Sequence, residues 1–205
     1  MSVNKSYGIL WLFVSKFFPP IINFAVFTYS ARILAPEDFG LIAFSLSIIY
    51  ISSSFMPVGW RESIIKYQID DTLTISSIFW LHFFVSIILV LLILAFCLVS
   101  FFDFQTEIFN IALSIFCLKL IFDGLYATLN IVLLKEQKYA HLALRTFFSG
   151  VLSATIIITL LVLDYGIWAL IWSQVVLSIF NFLVVYIPAR DKVKFIFKFN
   201  CIIKL

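Results

Sequence analysis

Charge is scarce in this chain. Only 12% of its residues are Asp, Glu, Lys or Arg, against about 25% in a soluble domain. Hydrophobic residues make up 63% and the mean hydropathy is +1.13. After building one core, such a chain has no polar surface left to offer water, so lipid must be its solvent over much of its length. Other shortages narrow the chemistry. The glycines form no Gly-rich phosphate loop, which excludes an ATPase. Cys97, Cys117 and Cys201 show no CxxC or Cys/His spacing, so neither a metal site nor a disulfide framework is indicated. There are no paired intramembrane carboxylates, no His cluster and no nucleophile elbow, and Asp70-Asp71 stands alone in a loop. No Arg repeat suggests a voltage sensor and no filter sequence suggests a potassium channel. We therefore expect no catalytic residues, no metal, no cofactor and no nucleic-acid partner.

Apolar runs fill the space these absences leave. A helix needs about 20 mostly apolar residues to cross a bilayer. Six stretches qualify, at about 7–33, 41–59, 76–102, 108–134, 142–163 and 167–187. The first is too long for a signal-peptide core and contains Lys16 and Pro19-Pro20, so it reads as a retained span. The expected fold is all-α: a polytopic membrane protein, with residues 1–190 as a six-helix transmembrane lobe. Residues 191–205 form a basic tail whose lysines alternate with Phe195, Ile196 and Phe199, the pattern of a membrane-surface segment.

Charge placement sets an orientation. With the N terminus inside, the inner segments hold Lys5, Arg61, Lys66, Lys135, Lys138, Arg145, Arg190, Lys192, Lys194, Lys198 and Lys204. The outer loops hold only Arg32, beside the acidic Glu37, Asp38, Asp103, Glu107 and Asp164. Both ends are therefore expected in the cytoplasm. An odd number of spans would scramble this division.

Two cations fall inside spans. An ionised side chain at mid-membrane costs at least about 2.5–3.5 kcal/mol, so it seeks a partner or a wet cavity. Lys16 shares a helix face with Asn23 and Ser30. The adjacent Pro pair should kink that helix and free backbone carbonyls, which suits a cavity wall; snorkelling to the inner interface is the alternative. Lys119 and Asp123 are spaced i, i+4 and can pair, with Tyr126 and Asn130 extending their face. That face is either a self-neutralised structural pair or one wall of a pathway. Gln174, Ser178 and Asn181 suggest hydrogen bonding between helices, and Ser149, Gly150, Ser153 and Ala154 suggest close helix packing. His82 reads as a hydrogen-bonded helix residue. Arg61 follows the break at Pro57–Gly59, at the inner mouth. It can take a phosphate in bidentate fashion or serve as an interfacial anchor beside Trp60. From the residues alone, an oligomeric six-helix channel or small-solute transporter and a non-transporting membrane scaffold both stay open.

The stretch ARILAPEDFGLIAF (31–44) is the most specific signal. Arg32, Leu34, Pro36, Asp38, Phe39 and Gly40 fill the pattern R-x-L-x-P-x-D-[FY]-G, which resembles the first outer loop of polysaccharide flippases. Pro36 and the acid suit a helix start, and Gly40 a backbone turn. Further likenesses follow in order: VGWRESIIKY (58–67), LNIVLLKEQKYAHLALRTFFSGVLS (129–153) and DYGIWALIWSQVVLS (164–178). The chain thus resembles the Wzx-type lipid-linked oligosaccharide (O-antigen and other polysaccharide) flippases, within the superfamily of multidrug and toxin extrusion transporters. The resemblance implies two six-helix lobes around a V-shaped cavity in the bacterial inner membrane. It implies an undecaprenyl-diphosphate-linked oligosaccharide as cargo, turned from inner to outer leaflet by alternating access. Lys16 is the position that suits the diphosphate, followed by Arg61 and then by the Lys119/Asp123 pair; Asn23 completes the expected substrate-binding set. Family members run to about twelve spans or more. The expectation is therefore an N-terminal lobe, partnered by the bilayer, a second-lobe polypeptide and polysaccharide polymerase machinery.

Overall fold

The structure, a computed structural model, describes residues 3–56, 64, 72–100, 107–135, 139–190 and 193. Within those ranges side chains are described from residue 17 onward, residues 100, 139 and 140 excepted. Six helices follow in order: α1 (Val3–Ser30), α2 (Pro36–Ser54), α3 (Thr72–Ser100), α4 (Glu107–Lys135), α5 (Tyr139–Val162) and α6 (Ile167–Ala189). Each lies over one of the expected apolar runs, and no strand occurs among the described residues. The protein is an all-α membrane protein.

Four helices, α3 to α6, are long and apolar enough to cross a membrane. Length and composition thus carry four spans where six were expected. The head of α2, Pro36-Glu37-Asp38, and its tail, Ser52-Ser53-Ser54, dilute its apolar stretch. The side chains of α1 are described over its second half only. The outer surface still demands lipid. Large hydrophobic side chains are exposed on all six helices, and Phe24, Phe55, Leu98 and Val99 are each more than 70% exposed; apolar surface on that scale calls for a nonaqueous neighbour.

The centre of the bundle is α4, which packs on α2, α3 and α6. Its fully buried Leu113, Phe116 and Leu120 meet Ile49 of α2 and Ile171 and Val175 of α6 in one core. On the other side α6 packs on α5, and α5 on α1. The small residues expected to allow close packing do so there: Ser149 and Ser153 are buried, and a Cβ at Gly150 would stand 3.6 Å from Ile22. Phe18 stacks on Phe147 with ring centroids 4.5 Å apart.

The 31–44 stretch is a corner between α1 and α2. Leu34 is buried with Val26, Ile157, Leu161 and Ala169, and Phe39 packs onto the same cluster. Pro36 takes the first helical position of α2, where its missing N–H costs nothing. Asp38 Oδ2 accepts from the Ala35 N–H at 3.1 Å, and the Asp38 N–H donates back to the Ala35 carbonyl at 3.1 Å. Arg32 is exposed. Gly40 departs from the expectation: it lies inside α2, without positive φ and with open space where a Cβ would be. The turn glycine is instead Gly166, at φ +54° before α6.

Among the described glycines, Gly124 of α4 has the least room beside it. A Cβ there would lie 2.7 Å from Ser86 Oγ of α3 and 3.2 Å from Met56. Ser86 is held by its bond to the His82 carbonyl at 2.7 Å. Gly124→Ala gains up to about 1 kcal/mol of helix propensity but overpacks at roughly 1–3 kcal/mol. A lower unfolding midpoint in detergent is expected, and Ser86→Ala in the same chain should restore it by removing the clashing oxygen. A stable single variant would remove this contact from the packing argument.

Candidate functional site

Lys119 and Asp123 stand one turn apart on α4, and Lys119 Nζ donates to Asp123 Oδ2 at 2.8 Å. The same ammonium donates to Ser178 Oγ of α6 at 3.2 Å. The ring of Tyr50, on α2, has its centroid 5.9 Å away, at the limit of a cation–π contact. Lys119 is buried and held by three helices. Asp123, with 35% of its side chain exposed, is the member of the pair that faces open space. Lys119 is the anchor and Asp123 the presented group.

That space is a cavity of about 460 Å³ walled by α2, α3, α4 and α6. Asp123, Tyr126 and Asn130 line it from successive turns of α4, the face the i, i+4 spacing marked out. Tyr50, His82 and Asn181 come from the other three helices. The buried His82 has Nδ1 3.1 Å from the Ile78 carbonyl and 3.0 Å from Thr128 Oγ1, so it joins α3 to α4. Asn181 Oδ1 is buried and has no hydrogen-bond partner among the described residues. Of the polar trio on α6, Ser178 alone bonds to another helix among the described residues. Gln174 and Asn181 instead line cavities.

Arg145, nearly two turns into α5, donates Nη1 to the Tyr126 hydroxyl. Its guanidinium carbon lies 4.8 Å from the Tyr126 ring centroid, and Nη2 donates to Thr146 Oγ1 at 3.3 Å. Its charge marked it only as an inner basic residue. The Tyr126 contact depends on how α4 and α5 lie together, which no spacing along one helix reveals.

A second cavity, about 380 Å³, opens between α1 and α2, with Ser153 of α5 and Gln174 of α6 on its wall. Asn23 and Ser30, two members of the α1 stripe, line it. Ser30 is spent on the Val26 carbonyl at 2.9 Å; Asn23 is exposed. Lys16 belongs to α1, but its side chain lies outside the described residues, as does the whole of Arg61. The expected substrate-binding residues therefore divide. Asn23 stands in the α1/α2 groove, and Lys119 and Asp123 belong to the central cavity.

The family described as polysaccharide biosynthesis protein matches residues 30–205. A curated relative, the succinoglycan biosynthesis transport protein ExoT of Rhizobium meliloti (strain 1021), is 22% identical over 206 aligned residues. That alignment covers 100% of this chain and 41% of the relative, so the chain spans about two fifths of its relative's length. No solved structure matches the chain significantly. The family match takes in the Arg32–Gly40 corner, the helices α2 to α6 and all the residues named above on the wall of the central cavity. On that match the chain belongs to the polysaccharide biosynthesis protein family.

Proposed function

We propose that this chain forms a six-span lobe of a transporter for lipid-linked oligosaccharide in the bacterial inner membrane. The cargo is an undecaprenyl-diphosphate-linked glycan unit, turned from the inner to the outer leaflet by alternating access. The observation that carries this reading is the family match over residues 30–205, on a bundle of apolar helices with polar groups turned inward. The one-sided distribution of Lys and Arg supports cytoplasmic ends. The 22% identity to a protein named for succinoglycan transport supports a glycan cargo.

In this reading Lys16 attracts the diphosphate from α1 and Arg61 does so at the inner mouth, each by charge-assisted hydrogen bonds. Asn23 offers an amide in the groove between α1 and α2. Lys119 fixes Asp123 in the cavity wall. A second-lobe polypeptide completes the enclosure, and polymerase machinery receives the turned unit.

Deleting the gene that encodes this chain is expected to abolish export of the host's polysaccharide and to leave lipid-linked repeat units accumulating in the cytoplasmic leaflet. A plasmid copy should restore export. Polymer output and lipid-linked pools both unchanged on deletion would sink the proposal.

A further inference from the structure

The central cavity holds an imbalance of hydrogen-bonding groups. Asn181 Oδ1 is buried without a partner among the described residues. Asp123 spends Oδ2 on Lys119 and also lines the cavity. Asn130 adds another side-chain amide on the same wall. The nearby cations are held by protein partners, Lys119 by Asp123 and Ser178 and Arg145 by Tyr126 and Thr146, although Arg145 Nε is itself buried without a partner among the described residues. Neither contributes to the lining. The wall carries donors as well, in its asparagine amides and tyrosine hydroxyls, but beside the Asp123 carboxylate it holds one acceptor buried without a donor, and that is unfavourable.

The complement of such a wall is a molecule rich in hydroxyl donors. A diphosphate presents only acceptors and negative charge, and Asp123 opposes it. A sugar ring fits better. Its hydroxyls donate to Asn181 and Asp123, and its C–H faces can lie against the rings of Tyr50 and Tyr126, both on the wall. The volume of about 460 Å³ falls within the roughly 300–1,000 Å³ of small-molecule sites.

We infer that this cavity is a binding site for a neutral sugar ring, recognised through hydroxyl donation to Asn181 and Asp123. It is not a site for the lipid diphosphate. That the sugar belongs to a transported glycan rests on the proposed function; the donor–acceptor complementarity does not.

The test uses the purified chain in lipid nanodiscs free of glycoside detergents, which would themselves compete. Methyl glycosides of glucose, galactose and N-acetylglucosamine are titrated and followed by saturation-transfer NMR, with inorganic pyrophosphate as competitor. At least one glycoside should saturate. Asn181→Leu should weaken it about tenfold, which corresponds to about 1.4 kcal/mol. Thr155→Val, on an exposed face of α5, should not change it. If Asn181→Leu fails to fold, Asn130→Leu carries the same expectation. The inference is overturned if no glycoside saturates, meaning the cavity holds water only. It is also overturned if the folded variants bind as the native chain does, or if pyrophosphate displaces the sugar. Should deletion of the gene still abolish polysaccharide export while no glycoside binds, the transport reading stands and this site falls.

Discussion

Asp123→Leu is expected to destabilise the protein by about 3–5 kcal/mol, the penalty for stranding one member of a buried ion pair. The asymmetry of the pair drives the size of the effect. Lys119 is 7% exposed and would keep only the Ser178 hydroxyl at 3.2 Å and the distant ring of Tyr50. Lys119→Met should cost less, because the carboxylate it abandons is 35% exposed and opens on a cavity that water can enter. The double variant Lys119→Met, Asp123→Leu should recover most of the loss, since two apolar chains of similar volume leave no charge behind. Denaturant unfolding in detergent of the native chain, both single variants and the double variant closes the cycle. If the Asp123 variant proves no less stable than the Lys119 variant, the assignment of Lys119 as the buried anchor is wrong.

That pair shows which parts of the structure could be read from the sequence. The relations within α4 were legible. The i, i+4 spacing of Lys119 and Asp123 became a 2.8 Å ion pair, and Tyr126 and Asn130 share its cavity-facing side. The apolar runs became helices because their length and hydrophobicity leave little alternative in lipid. Relations between helices were not legible. Nothing in the spacing of α6 says that Ser178 reaches Lys119 while Asn181, nearly one turn on, faces a cavity without a partner. Nor does Gly124 announce that Ser86 stands opposite it. Gly40 misled for a related reason. A glycine beside Pro and Asp suggests a turn, yet Pro36 at the first helical position and the Asp38 bond to Ala35 had already started α2. The corner is shaped by Leu34 and Phe39 entering the core formed with α5 and α6.

The two intramembrane lysines should lower export by different routes. Lys119 acts through structure, so its loss should lower the amount of folded protein and, through that, export. Lys16 lies on α1, seven residues before Asn23 and its open groove. Under the proposed function it meets the cargo's diphosphate, so its contribution appears only in transport. Lys16→Gln is expected to insert and fold at native level, since it removes a charge that lipid disfavours. Export should fall by roughly 10- to 150-fold, from a charged hydrogen bond of about 1.5–3 kcal/mol. Lys16→Arg keeps the charge and should retain most of the export. The discriminating measurement is export per folded molecule, with surface or secreted glycan divided by folded protein in the membrane. That ratio should collapse for Lys16→Gln and fall much less for Lys119→Met, because Lys119 meets the cargo only through Asp123, which it holds in the cavity wall. An unchanged ratio for Lys16→Gln would place the diphosphate contact elsewhere, with Arg61 the next residue to test.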